Sequence, residues 1–92
     1  MNEADLVLGA PATAKLNITY NGQQGDLPNE VPYDLVDSEV RRIAQEALTQ
    51  GIPGINADPN ADLKDFVVDR FPAREDVPYN RLSLRPKTPF GA

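Results

Sequence analysis

Leu16, Ile18 and Tyr20 alternate with Asn17 and Thr19 over Lys15–Tyr20. That period of two is the pattern of a half-buried strand. Asn21-Gly22 follows at once, a pair that tolerates the positive φ angles of a tight hairpin turn. A second, poorer strand is expected to return within Gln24–Tyr33. Pro28 and Pro32 lack the donor that a central ladder needs, so this strand belongs at a sheet edge.

The period then changes. Val40, Ile43, Ala44, Ala47 and Leu48 fall at i, i+3, i+4, i+7 and i+8, one apolar stripe of a helix, with Arg41, Arg42, Gln45 and Glu46 on the other side. Asp37 is placed to cap the start and Glu39 to complement its positive end. Gly51 is placed for a left-handed C-terminal position, and Pro53 prevents continuation.

Residues 52–63 read as a loop rich in Pro, Gly, Asn and Asp. Phe66–Phe71 reads as a strand stopped by Pro72. Asn80–Arg85 is a second one, with Leu82 and Leu84 inward and Arg81, Ser83 and Arg85 outward. The order is strand, hairpin, strand, helix, strand, strand, tail. It predicts an α+β domain: a four- or five-stranded mixed sheet carrying one main helix on one face. The divisions are a loose arm over residues 1–13, a domain over 14–86 and an extended tail over 87–92.

With 92 residues, the chain is one domain's length. Its 40% hydrophobic and 25% charged composition is that of a globular protein. Cysteine and histidine are both absent. That removes thiolate nucleophiles, the commonest general base and nearly every zinc or iron site, and it suits a reducing, cytoplasmic setting. The beginning lacks the basic leader and long apolar core of a secretory signal, and no run approaches a membrane span. No cofactor or catalytic residue is expected.

A net charge of −5 disfavours nucleic acid and anionic membranes as partners. The charge is uneven: residues 1–76 hold six basic and fourteen acidic side chains, a balance of −8. From Val77 onward there are only basic ones, Arg81, Arg85 and Lys87.

Asp58, Asn60, Asp62 and Asp69 occupy positions 1, 3, 5 and 12 of a calcium-loop spacing. Leu63 stands where the sharp turn needs glycine, so these are expected to be turn and cap residues of a solvated loop, with no metal ligand among them. Ser38 and Ser83 have no histidine to activate them. Two surface features remain. The row Arg81, Ser83 and Arg85 is either the wet face of a sheet or a partner-docking face. Lys87–Ala92 is either a frayed end or a slender handle for another enzyme's active site, with Phe90 as its aromatic anchor.

This element order, with a basic strand running into a glycine-bearing tail, resembles ubiquitin and its β-grasp relatives over residues 14–91. Lys15–Tyr20, Gly51–Ile55, Phe66–Pro72 and Arg81–Gly91 look more narrowly like bacterial ubiquitin-like proteins encoded beside activating-enzyme, conjugating-enzyme-like and JAB-type peptidase partners. The resemblance implies a protein modifier whose Gly91 carboxylate is adenylated, passed to a thiol and joined to an amine. Ala92 follows that glycine, so the resemblance also implies its removal by a peptidase. A non-covalent interaction module is the alternative, and a sulfur carrier a further one.

Overall fold

The computed structural model describes residues 12–87. Strand β1 (Thr13–Tyr20) buries Ala14, Leu16 and Ile18 on one side and turns Lys15, Asn17 and Thr19 to the other. Asn21 and Gly22 take φ of 52° and 77°, closing a two-residue loop between Tyr20 and its partner Gln23. That geometry matches the twist of the flanking strands, and β2 (Gln23–Asp26) returns antiparallel.

The return is interrupted. Leu27 still donates to the Leu16 carbonyl at 2.9 Å, and β3 (Val31–Pro32) then rejoins the other end of β1 through Ala14↔Val31. The single edge strand expected over Gln24–Tyr33 is therefore two pieces. Pro28, which has no N–H, stands at the break.

On the inner side of β1 lies β5 (Asn80–Arg85), parallel, and beyond it β4 (Val67–Phe71), antiparallel to β5. The sheet runs β2-β1-β5-β4, with β3 paired to β1. Helix α1 (Asp37–Gln50) lies on one face, its Val40, Ala44 and Leu48 fully buried in one cluster with Leu16, Ile18, Leu82 and Leu84. Burying each of the larger side chains is worth roughly 1.5–3 kcal/mol. One helix on a mixed five-stranded sheet is an α+β architecture of β-grasp-like form.

Both helix ends differ from expectation. The N-terminal cap is Val36, with no side-chain cap bond; its carbonyl accepts from the N–H groups of Glu39 and Val40 at 3.0 and 3.1 Å. Asp37 does not cap the helix, because its carboxylate is taken by Arg70 at 2.7 Å. The same guanidinium donates to the carbonyls of Tyr33 (2.9 Å) and Leu35 (2.5 Å). Arg70 thus ties β4 to the segment that enters the helix. At the other end Gly51 has φ 87°, the positive value expected, but ψ 151°. This is extended, mirror-image backbone open essentially to glycine alone, instead of the left-handed helical cap.

The segment after α1 is more buried than its polar composition predicts. Ile55, Ala61 and Leu63 belong to the core. The side-chain amide of Gln45 holds this segment to the helix, donating to the Ala61 carbonyl and accepting from Leu63 N–H at 3.2 Å. Residues 52–55 form a tight turn, with Ile52 and Ile55 exchanging backbone bonds of 3.1 and 3.0 Å. That turn meets β2 backbone to backbone. A Cβ on Gly25 would lie 2.1 Å from the Pro53 carbonyl oxygen, and one on Gly54 would lie 2.2 Å from that of Gln24.

Candidate functional site

With α1 on one face, no other described element covers the opposite face of the sheet. Its rows follow from register. Phe71 pairs with Arg81 and Arg81 with Lys15; Asp69 pairs with Ser83, Ser83 with Asn17, and Asn17 with Asp26. Residues opposite one another in neighbouring strands share a face. The outward alternation expected for Arg81, Ser83 and Arg85 is therefore what β5 presents.

The three do not form one site. Arg81 and Ser83 line a shallow hollow of about 310 Å³ with Lys15, Asn17, Asp26, Phe71 and Tyr79. Arg85 sits towards the other end of the strand, opposite Val67, and is bound through Nε to Asp69 at 2.6 Å. Phe90, Gly91 and Ala92 lie outside the described residues.

Two cation–aromatic pairs build the hollow. The Lys15 ammonium lies 4.5 Å from the centre of the Tyr79 ring, and the Arg81 guanidinium lies 4.9 Å from that of Phe71. Both rings are about 40% exposed, so each presents apolar surface while attracting its cation. Arg81 Nε is buried without a hydrogen-bond partner. Asp26 is held by the Asn17 side-chain amide at 2.9 Å.

Asn80 positions the hollow from below. It is buried at the start of β5, accepts from Ala73 N–H at 2.7 Å and donates to the Thr13 carbonyl at 3.1 Å. One amide thus joins the end of β4, the start of β5 and the start of β1. Tyr79, its neighbour in sequence, lies beside Lys15. Sequence pattern alone marked only the β5 half of this hollow. Asn17 read as a polar position alternating with the apolar ones of β1, but its pairing with Ser83, and that of Lys15 with Arg81, depends on the parallel register.

The acidic residues with calcium-loop spacing are turned to donors of this chain. Asp58 accepts from the Tyr20 hydroxyl at 2.5 Å and from Asn60 N–H at 2.9 Å. Asp62 accepts from Lys64 N–H at 3.1 Å, and Asp69 is bound to Arg85. The hydrogen bond to Asp58 raises the Tyr20 pKa above the ordinary phenol value. The same bond, with that from Asn60, lowers Asp58 below the ordinary carboxylate range. No cluster of three or more metal-ligating side chains occurs among the described residues. None of their helices is long and apolar enough to cross a membrane.

Compared with known proteins, the chain matches no family model, no curated protein and no solved structure.

Proposed function

We propose that this chain is a ubiquitin-like protein modifier: a β-grasp body that partner proteins hold by its bare sheet face while Gly91 is activated and conjugated. The observation that carries this reading is the course of β5. It is an inner strand, paired to β1 and β4, and it leads straight to Pro86 and Lys87 and so towards the glycine. A rigid central strand is a suitable base from which to offer a slender segment to another enzyme. The chemistry would come from the partners: an activating enzyme, a conjugating-enzyme-like protein and a JAB-type peptidase of bacterial kind. After removal of Ala92, the Gly91 carboxylate attacks ATP with loss of pyrophosphate. A partner thiol then displaces AMP, and a target amine displaces the thiol. A cytoplasmic setting belongs to the same reading, since that is where ATP is at hand.

The test is mass spectrometry of the chain, full and lacking Ala92, after incubation with ATP and the activating enzyme. A gain of the adenylate mass, or a thioester to the enzyme, is expected for at least the shortened chain. Unchanged mass in both overturns the reading.

The hollow beside Lys15 and Arg81 favours a second reading, a non-covalent interaction module that works through the sheet face. On that reading, deleting Thr88–Ala92 leaves partner binding intact.

A further inference from the structure

We infer that the hollow of the open sheet face is a docking site for an acidic segment of a partner protein, with partner carboxylates seated between Lys15 and Arg81. The inference rests on the sheet-face reading and is indifferent to whether Gly91 is ever activated.

The argument is one of charge complementarity. The chain has fourteen acidic residues to nine basic ones. Arg42, Arg70, Arg74 and Arg85 are ion-paired to internal carboxylates. Lys15, Arg41, Lys64, Arg81 and Lys87 are not, among the described residues, and of these Lys15 and Arg81 are direct neighbours across the β1–β5 pair. Two like charges side by side on a sheet repel each other, and here each is held over an aromatic ring instead of a counter-ion. A carboxylate placed between them would relieve the repulsion and make charge-assisted hydrogen bonds.

The rest of the hollow says what else the partner carries. Phe71 and Tyr79 offer exposed ring surface, which suits an aliphatic residue next to the acid. Asp26 closes the hollow on the β2 side and is held there by Asn17, so the acidic group must sit towards Arg81 and Tyr79. A long polyanion is disfavoured, because the molecule as a whole carries −5.

The test is a titration of the full chain, isotopically labelled, with a capped nine-residue peptide alternating leucine with glutamate and aspartate. Amide shifts should centre on Lys15, Asn17 and Tyr79–Ser83. Lys15→Glu and Arg81→Glu should each weaken binding at least tenfold, as should 0.5 M salt, while Lys64→Glu should change it less than twofold. Should Arg81→Glu fail to fold by circular dichroism, Lys15→Gln and the salt series decide. No shifts at millimolar peptide, or equal binding by both charge-reversal variants, overturns the inference. Equal binding by a lysine counterpart or by an oligothymidylate of matched length does the same. Binding of a neutral leucine–serine peptide without binding of the acidic one overturns the acidic partner and leaves the docking face standing.

Discussion

Arg70 and Asn80 are single side chains that each tie together parts of the chain far apart in sequence. Arg70 meets two carbonyls and the Asp37 carboxylate from a strand more than thirty residues further on. Hydrogen bonds to a charged group contribute roughly 1.5–3 kcal/mol each, and they are not additive. Arg70→Met should therefore lower unfolding free energy by about 2–3 kcal/mol in urea denaturation. Arg70→Lys should recover only part of the loss, since an ammonium cannot reproduce the planar fork. Tyr20 and Asp58 give a pH signature. Asp58, with its pKa lowered on folding, contributes stability above the ordinary carboxylate pKa, and this is lost as pH falls through the lowered value. Tyr20, with its pKa raised, contributes below the ordinary phenol pKa, and this is lost as pH rises through the raised value. The stability difference between the native chain and Tyr20→Phe should thus be constant across neutral pH. It should shrink below about pH 4 and above about pH 10, followed by urea midpoints. A difference independent of pH would show that the bond does not form in solution. None of these partnerships was legible in the sequence. Arg70 read only as a polar position of a strand, and Asp37 read as a cap, because local spacing does not reveal a competitor brought in by tertiary structure.

At the scale of elements, β1, β5 and α1 were legible because each buries one face and therefore writes its own period: Leu16 and Ile18, Leu82 and Leu84, Val40, Ala44 and Leu48. The β2–β3 edge was legible only as an edge, since two short pieces carrying Pro32 and Gly25 leave little alternation. The segment after α1 reads only as a polar loop, and its contribution to the core is not legible. Its buried residues, Ile55, Ala61 and Leu63, are scattered without a period, and their burial depends on the Gln45 bracket. The turn at residues 52–55 is fitted to β2 with no room for a side chain on Gly25 or Gly54. Gly25→Ala and Gly54→Ala should each cost about 1–3 kcal/mol by thermal or urea unfolding. The double variant should cost less than the sum, because the separation of the two backbones is shared, while the strain of an alanine at the φ of 94° of Gly54 remains. Gly51→Ala should cost a similar amount, about 1–3 kcal/mol, as its φ of 87° is strained for any side chain and Ala57 crowds the Cβ position.

For the whole molecule, the centre of the sheet is the parallel pair β1 and β5, held in register by the Asn80 amide across 67 residues of sequence. Native-state hydrogen exchange should accordingly find the slowest amides in these two strands and faster ones in β3, which contributes only two residues to the ladder. Uniform protection across the sheet would contradict this. The pairing also sets an order on the life of the chain. Nothing local can form the middle of this sheet; a loop of about sixty residues must close first, and that closure is a slow, entropically costly step. A nascent chain shorter than β5 has β1 bare along its central edge, able to recruit strands from other molecules. The strand that completes the sheet is also the one that leads to Lys87 and the residues beyond it. A chain interrupted before β5 therefore has neither a finished sheet nor a covered edge on β1.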